Sequence, residues 1–183
     1  MSDRIELRLA GSGGQGLILA SVILAEAAAI FENKNAVQTQ SYGPEARGGS
    51  SKSDVVISAE EIDYPKATRM DILLVLTQEA CDKYINDLKE GGILIADSDL
   101  VKKIPDGNYK IMSVPISKTA AERVGKAFVA NIVALGVIVG VSNIVSMDAI
   151  EKSVLSRVPK GTEELNKLAL QQGFELATST LRN

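Results

Sequence analysis

The sequence predicts a three-layer α/β fold with a mostly parallel, mixed sheet and a helical carboxy-terminal third. Three observations carry that prediction. Asp71–Leu76 and Ile93–Asp97 are apolar almost throughout, the pattern of strands covered on both faces. A glycine-rich turn, Gly11-Ser12-Gly13-Gly14-Gln15-Gly16, joins a strand-like run to a helix-length apolar segment. From Ile116 onward every segment has helical length and period. The 183 residues fit one domain.

Along the chain, Ile5–Ala10 alternates apolar and charged residues before turning fully apolar, which predicts a first strand. Gln15–Phe31 predicts a first helix. Only Ser21 and Glu26 interrupt its apolar body, so the helix should be covered on both sides, by its own sheet and by another subunit. Asn33-Lys34-Asn35 is a turn, and Ala36–Tyr42 is a second strand. Ser51–Ser58 is a third, antiparallel to the second because so few residues link them. Thr77 caps a helix expected over Gln78–Lys89, which Gly91-Gly92 should stop. Asp106-Gly107-Asn108 reads as a turn before a strand at Tyr109–Val114. The helices that follow are expected near Ser117–Val124, Ala127–Val141, Met147–Val158 and Thr162–Leu181, with Thr162-Glu163-Glu164 as the cap of the last. Gly136 and Gly140 allow close packing of the second of these.

Composition excludes several function classes. Twenty basic and twenty-three acidic residues give a net charge of -3, and only 4 % of residues are aromatic. That balance gives nucleic acid neither a basic surface nor stacking rings. The Ala127–Val141 run is short of a membrane span and contains Asn131, so it reads as a buried helix. Met1–Glu6 is charged and leads straight into a strand, unlike a signal peptide. A cytoplasmic location is expected. The chain has no His and one Cys, Cys81. A zinc site or an iron–sulfur cluster needs more ligands than that, so no metal site and no catalytic residue is assigned. Cys81 reads as a structural thiol.

Two glycine turns are the candidate site. Gly11, Gly13 and Gly16 match the dinucleotide fingerprint between a strand and a helix. Such a turn presents backbone N–H groups to an anion, or simply allows tight strand-to-helix packing. A dinucleotide site also needs an acid at the end of strand two, and Gln38-Thr39-Gln40-Ser41-Tyr42 has none. Gly13→Val is expected to be severe, on the view that Gly13 makes the tight bend. The second turn runs Ser41-Tyr42-Gly43-Pro44-Glu45-Ala46-Arg47-Gly48-Gly49-Ser50. Arg47 offers a planar fork for phosphate or carboxylate, and Glu45 is its alternative partner. Both turns are expected at the carboxyl ends of neighbouring strands. The candidate binding set is Gly11, Gly13, Gly14, Gln15, Gly16, Ser41, Tyr42, Arg47, Gly48 and Gly49.

The ordered pair of turns, with Ser53-Asp54-Val55-Val56-Ile57-Ser58 after the second, resembles the gamma subunit of 2-oxoacid:ferredoxin (or acceptor) oxidoreductases. The likeness runs along nearly the whole chain and is most specific in its amino-terminal third. It implies a Rossmann-like domain inside a complex that decarboxylates a 2-oxoacid to acyl-CoA and carbon dioxide and reduces ferredoxin or another acceptor. The Ser-Tyr-Gly-Pro-Glu-Ala-Arg-Gly-Gly form resembles the 2-oxoglutarate branch; pyruvate and branched-chain oxoacids are the alternatives. The resemblance places thiamine diphosphate, magnesium and the iron–sulfur clusters in alpha, beta and delta-type partner subunits, with coenzyme A as a contact of this chain. Two other readings stand beside it: a stand-alone Rossmann-like nucleotide-binding enzyme, and a purely structural domain of the same complex.

Overall fold

The computed structural model describes residues 4–42 and 50–182. Its sheet has six strands in the order β2-β3-β1-β4-β5-β6. They are β1 (Ile5–Ser12), β2 (Asn35–Tyr42), β3 (Ser50–Ser58), β4 (Met70–Val75), β5 (Leu88–Asp97) and β6 (Lys110–Val114). β1, β4, β5 and β6 are parallel neighbours. β3 runs antiparallel between β1 and β2. The mixed, mostly parallel α/β sheet read from the apolar runs is therefore present.

The strand period of two sends alternate side chains to two cores. In β4, Ile72 and Leu74 join the larger core, while Leu73 and Val75 join the smaller one. The larger core is roofed by α1 (Leu17–Glu26), α4 (Ala130–Ser142), α5 (Met147–Arg157) and α6 (Glu163–Leu181). α1 widens into a π-helical turn over Ala27–Phe31. α3 (Ile116–Lys118) continues as another over Thr119–Val124. The smaller core is closed by α2 (Gln78–Tyr84), through Ala80, Cys81 and Tyr84. α2 covers β1 and β4 and leaves the outer face of the β2–β3 hairpin open, where Thr39 and Ser41 are exposed. None of the described helices is long and apolar enough to cross a membrane.

Much of the cover expected for α1 comes from its own chain. Ser153 of α5 donates to the Ile23 carbonyl at 2.7 Å, and Arg157 pairs with Glu26. An outer strip stays open: Ile30 is 66 % exposed and Leu19 and Phe31 are each 40 % exposed.

Three local readings need correction. The helix expected over Gln78–Lys89 ends at Tyr84, turns once as a 3-10 helix over Ile85–Asp87, and gives way to β5 at Leu88. Leu88 pairs with Met70 and is buried, so sheet pairing overrides helix propensity there. Gly91-Gly92 does not stop a helix. It forms a bulge inside β5, where the register shifts between Met70 and Ile72. Gly91 adopts φ 74° and donates to the Asn108 carbonyl at 2.6 Å. At the start of α6, Thr162 makes no side-chain cap. Glu163 reaches back to the Gly161 N–H instead, at 2.8 Å. Thr77 does cap α2, accepting from the Ala80 N–H at 3.2 Å.

The close packing expected at Gly136 and Gly140 is between α4 and α6. A Cβ at Gly136 would lie 2.1 Å from the Leu170 carbonyl oxygen. The facing glycine is Gly173, where a Cβ would lie 1.9 Å from the Val133 carbonyl oxygen. Backbone cannot swing aside as a side-chain tip can. Gly136→Ala and Gly173→Ala should each lower stability by about 1–3 kcal/mol, read from the urea midpoint. An unchanged midpoint would contradict this packing.

Glu6 ties the amino end of β1 to the loop before β4. Burial pushes its carboxyl up, but the Thr68 N–H, the Arg4 guanidinium and the Arg69 N–H outweigh burial and hold it below the usual range. A depressed carboxyl stabilises the fold above its unfolded value of about 4.3 and loses that contribution as pH falls through the folded value. The stability gap between the wild type and Glu6→Gln should therefore be full near neutral pH and close progressively in acid. A gap independent of pH would refute the assignment.

Candidate functional site

β1 continues through Gly11 and Ser12, pairing them with Ser51 and Ser50 of β3. The chain then turns over Gly13–Gly16 into α1. Two side chains complete the turn from inside. The Gln15 carboxamide oxygen accepts from the Ser12 N–H at 2.8 Å. Gly11 leaves the space for it: a Cβ there would lie 2.2 Å from Gln15 Oε1. From the helical layer, Asn131 Nδ2 donates to the Gly16 carbonyl at 3.2 Å. That carbonyl also receives the Ala20 N–H at 3.0 Å.

Gly14 and Gly16 carry the left-handed backbone, at φ 87° and 72°. Gly16 is the N-cap of α1 and no side chain caps the helix. Gly13 and Gly14 are exposed. Uncapped N–H groups behind exposed glycines form the electropositive end expected for an anion or a partner's carbonyl groups. Phe128, three residues before Asn131, is 71 % exposed.

The second turn lies only partly in view. Arg47, Gly48 and Gly49, with Gly43, Pro44 and Glu45, fall outside the described residues. Its ends sit on the same sheet edge as the first turn, since Tyr42 pairs with Ser51, which in turn pairs with Gly11. The strands are not neighbours, as had been expected: β3 separates them, placing Tyr42 and Gly11 two strand spacings, about 10 Å, apart. Ser41 lines a different feature, an open cleft of ≈ 380 Å³ with Thr39, Lys52, Asp54, Lys66 and Ala67. The strand order also bears on the dinucleotide reading. In a dinucleotide fold the acid stands on the strand beside the glycine turn. Here that neighbour is antiparallel β3, and β2 lies beyond it.

Several residues that shape this edge were not singled out by sequence reading. Asn131 is the clearest, and its signal was available: it is the only polar side chain between Ala127 and Val141. Ser21, Ser53 and Gln38 form a hydrogen-bonded cluster beneath β2 and β3, with 2.6 Å between the two hydroxyls. On the opposite face Arg8 is 4 % exposed and forks onto both oxygens of Asp54, at 2.7 and 2.9 Å, with Asp87 as its second partner. Those carboxylates outweigh the cost of burial and raise the guanidinium above its ordinary value. Cys81 lies on the buried face of α2, and burial pushes its thiol up, away from the reactive thiolate. Among the described residues, no group of three or more His, Cys, Asp or Glu is placed to hold a metal ion.

The glycines of the turn are not equivalent, and the expectation for Gly13 is corrected. A Cβ on Gly13 meets no heavy atom within 4 Å, and its φ is not positive. A Cβ on Gly16 would lie 2.6 Å from Asn131 Nδ2, on a left-handed backbone. Gly13→Ala should change stability by less than about 0.5 kcal/mol. Gly16→Ala should cost about 1–3 kcal/mol. Equal urea midpoints for the two variants would contradict this geometry.

Known proteins resemble the chain along nearly its whole length. A family model described as pyruvate ferredoxin/flavodoxin oxidoreductase matches residues 6–176. The chain is 54 % identical over 176 residues to the 2-oxoglutarate synthase subunit KorC of Methanocaldococcus jannaschii, covering 95 % of this chain and 94 % of that one. It is 31 % identical over 180 residues to the pyruvate synthase subunit PorC of Thermotoga maritima, covering 93 % of each. The solved gamma subunit of a keto/oxoacid ferredoxin oxidoreductase from Geobacter sulfurreducens matches with a TM-score of 0.88 at 58 % identity, over 96 % of this chain and 99 % of that one. With the family model matching residues 6–176 and these relatives matching over nearly the whole length of the chain, the chain belongs to the pyruvate ferredoxin/flavodoxin oxidoreductase family.

Proposed function

We propose that this chain is the gamma-type subunit of a coenzyme A-dependent 2-oxoacid oxidoreductase of the 2-oxoglutarate kind, folded as one domain and carrying no chemical step itself. The observation that carries the reading is the contrast in likeness: 54 % identity to a 2-oxoglutarate synthase subunit against 31 % to a pyruvate synthase subunit, each over nearly the full length.

The residues fit a supporting role. The chain has no His, and its one Cys is buried. Those residues do not fit an iron–sulfur cluster, which needs about four ligands. The family resemblance assigns thiamine diphosphate, magnesium and the clusters to alpha, beta and delta-type partners, with ferredoxin or another acceptor reached through the complex. This chain's part is to dock and to shape the approach. The exposed backbone of Gly13 and Gly14, the uncapped α1 end and Phe128 form the surface offered to those partners and to coenzyme A. Ser41, Tyr42, Arg47, Gly48 and Gly49 belong to the same proposed edge.

The test is purification of the tagged native protein. It should elute with thiamine diphosphate-binding and cluster-bearing subunits, and the complex should reduce ferredoxin only when 2-oxoglutarate and coenzyme A are both present. A chain that elutes alone would overturn the subunit role. A complex that prefers pyruvate would overturn the substrate.

A further inference from the structure

Three cations crowd one aromatic ring on the face of the sheet that α2 covers. The Arg8 Cζ lies 5.1 Å from the Tyr84 ring centroid, the Lys83 ammonium 5.5 Å and the Lys52 ammonium 5.6 Å. The carboxylates nearby do not serve them equally. Asp54 and Asp87 are both taken by Arg8. Lys83 donates to the Ser50 hydroxyl at 3.0 Å. Among the described residues neither Lys52 nor Lys83 has a carboxylate within salt-bridge distance. Lys52 also lines the ≈ 380 Å³ cleft on the open face of the β2–β3 hairpin, with Lys66 and the Thr39 and Ser41 side chains.

The cross-strand register explains how these groups converge. Ala10, Lys52 and Ser41 form one row across β1, β3 and β2, and Arg8, Asp54 and Thr39 form the next. The ring stabilises each cation individually, but it does nothing for the repulsion between two ammonium groups that its centroid holds within about 11 Å of each other. A multivalent anion would relieve that repulsion. Lys ammonium groups act as point charges toward phosphate, and hydroxyls add donors around it.

We propose that Lys52 and Lys83, backed by the Arg8–Tyr84 platform and flanked by Ser50 and Lys66, form a binding site for a diphosphate group. This assignment rests on the residues of this chain alone and does not depend on the oxidoreductase reading. The diphosphate can arrive free or as part of a nucleoside diphosphate.

Titration calorimetry of the full chain with inorganic pyrophosphate tests the site. Saturable binding is expected, weakening as salt rises. Lys52→Gln and Lys83→Gln should each reduce affinity about tenfold, equivalent to about 1.4 kcal/mol, while Lys160→Gln leaves it unchanged. ADP provides the second arm. Tighter binding of ADP with the same lysine dependence means the group arrives on a nucleoside; equal or weaker binding means it is read as a free anion. Thermal unfolding guards against a folding defect in the variants: pyrophosphate should raise the wild-type midpoint above that in chloride of matched ionic strength. No saturable heat, or full affinity in the Lys52→Gln/Lys83→Gln double variant, would overturn the proposal.

Discussion

Asn131 approaches Gly16 so closely that a side chain on residue 16 would overlap its carboxamide. Through that contact α4 is fastened to the point where β1 becomes α1. The Gly16 carbonyl accepts the first helical bond, from the Ala20 N–H, and Asn131 donates to its remaining lone pair. The Gln15 side chain is likewise turned inward, onto Ser12. Every side chain that might have capped α1 is thus engaged elsewhere or absent. The helix end faces outward with its backbone donors uncapped, and the edge is held in shape before any partner reaches it.

The unequal layers follow from the same chain path. α1 and the carboxy-terminal helices all lie over one face, so the larger core collects there, and α4 is buried from Asn131 to Gly140. α2 alone serves the other face, leaving the hairpin of β2 and β3 uncovered on that side. An uncovered sheet face near a buried arginine must satisfy that charge locally, and Asp54 and Asp87 do so. Removing one partner of such a group leaves a buried charge uncompensated, which makes this cluster the stiff backing for the lysines around Tyr84.

How much of this was readable in the sequence depended on the range of each interaction. Strand alternation at Ile5–Ala10, the apolar runs of β4 and β5, and the short link of the β2–β3 hairpin are local signals, and they gave the mixed sheet. The Gly91-Gly92 pair misled because a helix stop and a β-bulge use the same residue; only the pairing of Leu88 with Met70 distinguishes them. Gly13 and Gly16 look alike in sequence, and their difference comes from a helix 115 residues away. Asn131 advertised itself as a lone polar residue in an apolar run, yet its partner could not be named without the fold. Lys52 and Lys83 gave no signal at all, because strand register and helix placement bring them to one ring. Residues 43–49 leave the position of Arg47 outside the account.

The proposed role of the glycine edge, as the surface presented to catalytic partners, can be measured directly by hydrogen–deuterium exchange on the isolated chain and on the assembled complex. Residues 11–17 and 126–131 should exchange more slowly in the complex, while the opposite edge, around Lys89–Gly92, stays unchanged. Equal exchange of residues 11–17 in the two states would contradict the account.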